Sequence, residues 1–141
     1  MSIAVVYWSG TGNTEQMANA VAEGIKKKGV AVDVITADKF SKDSVTKYEK
    51  IAFGCPSMGD EELEEDEFEP MFASVESALN GKKIALFGSY GWGDGEWMRI
   101  WEERVKEGGA ILAGSGLMVH ETPGADDLAD CEELGQELVK L

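Results

Sequence analysis

Residues 3–14 read IAVVYWSGTGNT, and this stretch decides the fold of the chain. Residues 3–8 form an apolar run with the composition of a buried strand. Apolar residues recur at helical spacing from about Glu15 onward, with Met17, Val21 and Ile25 on one stripe. A turn of glycines and hydroxyl side chains separates the two segments. A strand that leads through such a turn into a helix predicts an α/β fold.

The turn itself has the composition of a phosphate-binding site. It consists of Ser9, Gly10, Thr11, Gly12, Asn13 and Thr14. Glycine lets the backbone come close to a ligand, and the amide N–H groups of a first helical turn point outward without partners. The positive end of the helix dipole favours an anion there. No Lys or Arg lies in the turn, so N–H and O–H dipoles alone would hold the charge.

Related phosphate motifs differ from this turn. The Gly-Lys-Ser/Thr ending of an ATPase P-loop is absent, and Glu15 stands where a dinucleotide fingerprint has its third glycine. The simpler alternative is a helix capped by Thr14 after a strand. A cap uses one hydroxyl, whereas this turn offers three, and we therefore favour a phosphate site.

Composition limits the class of protein. The 141 residues predict a single domain over 1–141, and 43% of them are hydrophobic. No apolar run is long enough for a membrane span, and residues 1–2 enter the first strand without an export signal, which predicts a cytoplasmic location. The net charge of −14 argues against nucleic-acid binding. Two distant cysteines and one histidine exclude a zinc site, and both thiols are expected to be inert core groups.

Short apolar runs alternate with helical segments along the whole chain. The runs predict five strands, at residues 3–8, 30–35, 51–55, 84–87 and 111–119, and Gly114-Ser115-Gly116 breaks the pattern of the last one. Because the runs are almost continuously apolar, the strands are buried on both faces, which predicts a doubly wound parallel sheet with helices on both faces. The last helix is expected to bury Leu128, Cys131, Gly135 and Leu138. Ligands of such sheets bind beyond the carboxyl ends of the strands.

Three loops of unusual composition follow strands one, three and four, at residues 9–14, 56–61 and 89–95. Trp92 lies between two glycines, outside any helix stripe, and suits stacking on a flat aromatic ligand. Met58 would provide a soft wall opposite it. The Gly59-Asp60 peptide can adopt two arrangements, and Glu61 is a candidate acceptor for an imide N–H. A lid over the core is the alternative for Trp92.

At these residues the chain resembles the flavodoxins, and most closely the short-chain flavodoxins of anaerobic bacteria. The matching motifs are Ser9 to Thr14, Met58-Gly-Asp-Glu61 and Ser89-Tyr-Gly-Trp-Gly-Asp94. The resemblance covers essentially the whole chain and implies a five-stranded sheet of order 2-1-3-4-5. It also implies a non-covalently bound FMN. The cofactor-binding residues would be Ser9, Gly10, Thr11, Gly12, Asn13, Thr14, Pro56, Ser57, Met58, Gly59, Asp60, Glu61, Ser89, Tyr90, Gly91, Trp92, Gly93 and Asp94.

The resemblance assigns roles to several of these residues. The 9–14 turn would bind the phosphate, and Trp92 and Met58 would stack on the outer and inner faces of the flavin. Glu61 would accept from flavin N3, and the Gly59 carbonyl would accept from N5–H after reduction. Pro56 replaces a serine that some relatives use for the phosphate, so Ser57 or Ser89 would have to compensate.

The implied function is that of a low-potential one-electron carrier, an electron-transfer protein and not an enzyme, which cycles between semiquinone and hydroquinone. It would be a monomer that meets redox partners with basic docking surfaces. The acidic segment 60–67 borders the site and would oppose formation of an anionic hydroquinone. His120 is expected to be a rim residue. One alternative is an FMN-dependent quinone-type reductase. A phosphate-binding receiver domain would need acidic residues at the end of strand one, where residues 7–9 have none.

Overall fold

The computed structural model describes residues 2–141, in which parallel strands alternate with helices along the chain. Because the apolar runs form the strands, all strand pairs are parallel and lie in one sheet. The strands are β1 (Ser2–Tyr7), β2 (Ala31–Thr36), β3 (Lys50–Gly54), β4 (Lys83–Tyr90), β5 (Ile111–Leu112) and β6 (Leu117–His120). The helices are α1 (Asn13–Lys27), α2 (Lys42–Val45), α3 (Phe68–Val75), α4 (Glu96–Glu107) and α5 (Ala125–Lys140).

The sheet order is β2-β1-β3-β4-β5, which confirms the predicted order and the predicted fold class. The strand predicted at 111–119 divides at Gly114-Ser115-Gly116, where its sequence pattern is broken. It consists of two short strands, β5 and β6, and both of them pair with β4. Gly114 between them has a φ of 66°, which extended backbone does not allow. The strand therefore breaks and resumes after this residue.

Side chains alternate between two hydrophobic cores, one on each face of the sheet. In β1, Ala4 and Val6 point into a core shared with α3 and α4, whereas Ile3 and Val5 point into a core shared with α1 and α5. Trp97 and Trp101 belong to the first core, as their helical spacing predicted. Burial on both faces explains the continuous apolar runs in the strands.

Two predictions of detail are corrected by the structure. Strand β4 continues to Tyr90, so Ser89 and Tyr90 lie at the end of a strand and not in a loop. The last helix buries Leu134, while Leu128 is only half-buried. Gly135 is buried where α5 approaches α1, and a Cβ atom there would overlap the carbonyl oxygen of Val21. Glycine thus permits the close contact of these two helices.

Within residues 2–141, none of the helices has the length and apolar character needed to cross a membrane.

Candidate functional site

A cleft of about 280 Å³ lies at the carboxyl ends of β1, β3, β4 and β6. It joins the 9–14 turn to the segments that follow β3 and β4. Among the described residues, its lining contains no Lys or Arg. The lining residues are Trp8, Ser9, Gly10, Thr11, Asn13, Thr14, Pro56, Ser57, Met58, Ser89, Tyr90, Gly91, Glu121 and Thr122. A parallel sheet brings these loops together because all its strands end at the same edge.

The 9–14 turn is held in shape by the Ser9 hydroxyl. Its Oγ accepts hydrogen bonds from the N–H of Gly12 at 3.1 Å and of Glu15 at 3.2 Å. Gly12 stands at the N-cap of α1 with a φ of 95°. Ser9, rather than Thr14, therefore satisfies donors at the start of the helix. A hydroxyl that accepts two bonds still has its own proton to donate, and this proton remains for a ligand oxygen.

Thr14 has a different partner. Its Oγ1 lies 2.9 Å from the Oγ of Ser89, and both side chains are buried. The pair links the first turn of α1 to the end of β4. This contact fixes the 9–14 turn relative to the segment that leads into residues 91–95.

The segment after β3 forms a tight loop. The backbones of Met58 and Glu62 exchange two hydrogen bonds, each of 2.8 Å. At the tip, Gly59 has a φ of 52° and Glu61 a φ of 57°. Left-handed backbone is uncommon for a residue with a side chain, so the position of Glu61 is set by more than local preference.

Glu61 is buried, with 8% of its surface exposed. Its Oε1 accepts a hydrogen bond of 2.8 Å from the Asp94 N–H. Its Oε2 is also buried and has no hydrogen-bond partner among the residues that the structure describes. A buried acceptor without a donor is costly, and it marks a place for a ligand N–H. This oxygen fits the imide N–H of a flavin.

The two side chains that are expected to stack on a flat ligand, Trp92 and Met58, are both exposed. Trp92 is 59% exposed and Met58 is 39% exposed, and only Met58 lines the cleft.

Gly93 lies against Glu61, and a Cβ atom at this glycine would overlap the carboxylate. The His120 ring, at the rim, has its Nε2 3.3 Å from the Gly91 carbonyl oxygen.

The structure thus gathers eleven of the eighteen predicted residues around the cleft. The other seven do not line it, although each adjoins a lining residue or its loop in sequence: Gly12, Gly59, Asp60, Glu61, Trp92, Gly93 and Asp94.

Sequence reasoning missed three lining residues, Trp8, Glu121 and Thr122. Glu121 has a φ of 60°, and its N–H donates to the Tyr90 carbonyl oxygen at 2.8 Å. Trp8 adjoins the turn and was open to prediction from that position. The other two follow β6, and no motif marked that loop as part of the site.

The acidic segment is not uniformly solvated. Asp60, Glu62 and Glu65 are exposed, whereas the Glu64 side chain is buried. Burial alone would raise the pKa of Glu64, but hydrogen bonds from the N–H groups of Phe68, Glu67 and Asp66 outweigh it and lower the pKa. Glu64 therefore caps the start of α3.

The thiols lie in apolar surroundings. Burial raises the pKa of Cys131 to about 12 and also raises the pKa of Cys55. Neither thiol is therefore ionised at neutral pH. Among residues 2–141, no three His, Cys, Asp or Glu side chains gather in a way that could hold a metal ion.

Comparisons with known proteins bear on this site. The flavodoxin family model matches residues 5–135. A flavodoxin of Megasphaera elsdenii is 44% identical over 138 residues, which are 98% of this chain and 98% of that protein. A flavodoxin of Clostridium beijerinckii is 44% identical over 137 residues, or 97% and 99% of the two chains. The solution structure of two-electron reduced M. elsdenii flavodoxin has a TM-score of 0.89 at 43% identity, with 99% of each chain covered.

Fold and site together define a class: a doubly wound α/β protein with a cleft at the carboxyl ends of its parallel strands. The chain belongs to the flavodoxin family. It is therefore a flavin-binding electron carrier and not an enzyme, as the sequence predicted. The resemblance to short-chain flavodoxins of anaerobic bacteria is confirmed by the same relatives.

Proposed function

We propose that the flavin is FMN, held without a covalent bond, with its phosphate in the 9–14 turn and its ring system between Met58 and Trp92. The observation that carries this proposal is the cleft that joins the turn to Met58 and Gly91. A hydroxyl-rich turn at the start of a helix offers donors to an anion, and a flavin without a phosphate has no anionic group to place there. When bound, FMN supplies the one-electron chemistry.

Each group of residues has its own role in binding FMN. Ser9 and Thr11 offer hydroxyl donors to the phosphate, and Asn13 and Thr14 offer amide and backbone donors. Ser57 adds a hydroxyl beside Pro56, and the hydrogen-bonded pair of Thr14 and Ser89 keeps one hydroxyl proton to donate. Glu61 Oε2 receives the imide N–H. Met58 and Trp92 cover the two faces of the ring and exclude water from it. The Gly59-Asp60 peptide, at the tip of its loop, would offer a carbonyl oxygen as an acceptor for an N–H group at the edge of the ring.

A comparison of FMN with riboflavin tests the phosphate assignment. We expect the apoprotein to bind FMN at least 100-fold more tightly, because charge-assisted hydrogen bonds contribute about 1.5–3 kcal/mol each. Thr11→Val removes one hydroxyl and should weaken FMN binding but not riboflavin binding. Thr46→Val, a threonine that lies away from the 9–14 turn, is the matched control. Equal affinity for the two flavins would contradict the assignment, and fluorescence quenching on titration measures both.

We also propose that partners dock through basic surfaces. The exposed carboxylates of Asp60, Glu62, Glu65, Asp66 and Glu67 lie in the loop closed by Met58 and Glu62 and in the segment that follows it. Opposite charges speed the encounter of two proteins, and salt slows it. The rate of electron transfer to a basic redox protein should therefore fall steeply with ionic strength in stopped-flow measurements. A rate that does not change with salt would contradict this docking mode.

The rest of the proposal concerns the form of the protein. We propose that residues 1–141 act as one domain, as a monomer, in the cytoplasm. Sedimentation of the flavin-loaded protein at micromolar concentration tests the monomer, since a dimer would double the mass.

A further inference from the structure

The loop of residues 91–95 carries Trp92 but has little to stiffen it. Three of its five residues are glycines, and Gly93 and Gly95 have φ values of 87° and 93°. Glycine loses more conformational freedom on ordering than any other residue. A ligand that had to order this loop by itself would bind more weakly by that cost.

Asp94 is the residue at which the loop is fastened. Its N–H donates to Glu61 Oε1 at 2.8 Å. Its carbonyl oxygen accepts from Arg99 Nη1 at 3.0 Å, and its carboxylate accepts from Arg99 Nη2, also at 3.0 Å. Arg99 belongs to the first turns of α4, so a rigid helix holds one side of Asp94. The other side holds the Glu61 carboxylate, which presents Oε2 to the ligand.

We propose that Arg99 is a positioning residue of the flavin site. It fastens Asp94 to α4, and through Asp94 it fixes both the Glu61 carboxylate and the loop that carries Trp92. The inference rests on the proposed binding of FMN between these groups. The planar guanidinium suits this task because it reaches a carbonyl and a carboxylate at once, which an ammonium group cannot do in the same geometry.

The size of the effect follows from exposure. The Arg99 and Asp94 side chains are 57% and 80% exposed, and exposed pairs contribute little because water and salt screen them. We expect Arg99→Gln to weaken FMN binding about two- to five-fold, and Arg99→Lys to lie between this variant and the wild type. Lys106→Gln removes one positive charge from the same helix without touching Asp94, and it should bind FMN like the wild type.

Amide hydrogen exchange in the apoprotein gives a readout that is independent of the flavin. Arg99→Gln should speed exchange of the Asp94 N–H, because the loop opens more often, and Lys106→Gln should not. Unchanged exchange and unchanged FMN affinity in Arg99→Gln would overturn the proposal.

A double variant separates position from charge. In Asp94→Asn/Arg99→Gln the net charge is that of the wild type, but the fastening is lost. If Arg99 positions the loop, the double variant stays as weak as Arg99→Gln. Recovery of wild-type affinity would show that only charge matters and would overturn the positioning role. If the wild type itself did not bind FMN, the proposed cofactor would fail, which is a distinct outcome.

Discussion

At the scale of single residues, Glu61 joins backbone conformation to ligand chemistry. Its left-handed backbone directs the side chain inward, and Gly93 leaves room for the carboxylate. One oxygen accepts from the Asp94 N–H, and the other has no donor among residues 2–141. A buried acceptor without a donor costs free energy, so a ligand N–H at this oxygen would relieve that cost.

Replacing Glu61 by Gln tests this view. The amide keeps one acceptor for the Asp94 N–H but presents donors where the free carboxylate oxygen lies. We expect FMN binding to weaken about 10- to 100-fold, which is the range for one charge-assisted hydrogen bond. Glu62→Gln, on the exposed neighbour, is the control and should bind normally. An unchanged affinity in the Glu61 variant, measured by fluorescence titration, would refute the assignment.

Sequence reasoning reaches some residues of this site and not others. Ser9, Met58 and Glu61 belong to motifs, so their proximity to a ligand could be predicted. The partner of each hydroxyl could not, because Ser9 bonds to backbone three and six residues away and Thr14 bonds to Ser89 across the sheet. Glu64 illustrates the same limit: it lies in an acidic run, yet it is buried as a helix cap.

At the scale of elements, that cap governs the start of α3. We expect Glu64→Gln to lower the free energy of unfolding by about 1–2 kcal/mol at pH 7, because an amide cannot accept all the backbone N–H bonds of a carboxylate. Glu65→Gln, on the exposed neighbour, should have almost no effect. Urea unfolding measures both variants.

The contribution of Glu64 to the free energy of unfolding should depend on pH. The folded state lowers the pKa of this carboxyl, so its stabilisation is fully present above the unfolded value of about 4.3. The stabilisation is lost as pH falls through the lower folded value. The difference between wild type and Glu64→Gln should therefore narrow below about pH 4. A difference that stays constant down to pH 2 would contradict the capping role.

The contact between α1 and α5 gives a second test at this scale. Alanine at position 135 would gain about 1 kcal/mol of helix propensity, but its Cβ would overlap Val21. We expect Gly135→Ala to be destabilising by a net 1–3 kcal/mol, because a packed interface cannot absorb the extra atom without moving. Gln136→Ala, one residue later on the same helix, should be close to neutral. A stabilised Gly135→Ala in thermal unfolding would show that the helices separate freely.

At the scale of the whole molecule, the order of the sheet could be predicted because continuous apolar runs and the family motifs agree. Gly114-Ser115-Gly116 marks a break in the pattern of the last strand, but whether the strand bends or ends there could not be predicted, since Gly114 can occupy either extended or left-handed backbone. The missed residues Glu121 and Thr122 depend on that interruption, because they follow the short strand that it creates.

The net charge of −14 acts on the flavin as a field. We expect the triple variant Glu62→Gln, Glu65→Gln and Asp66→Asn to raise a reduction potential of the flavin. The affected potential is the more negative of its two one-electron potentials, and the expected shift is roughly tens of millivolts in dilute buffer. Glu64 is left intact in this variant because it caps α3. A distant triple variant, Asp43→Asn, Glu49→Gln and Glu107→Gln, removes the same charge and should shift the potential less. Equal shifts in a redox titration would contradict a local field.

The absence of a cation from the cleft lining of the described chain has a consequence for how a cell's ions act on this protein. A doubly charged phosphate group approaches a strongly negative molecule with no Lys or Arg in that cleft to attract it. Dissolved ions screen this repulsion, so potassium salts should tighten retention of the cofactor. The same ions lower the rate of encounter with basic partners. Osmotic stress that raises the salt concentration in a cell would thus keep the cofactor bound while it slows electron transfer to the partners.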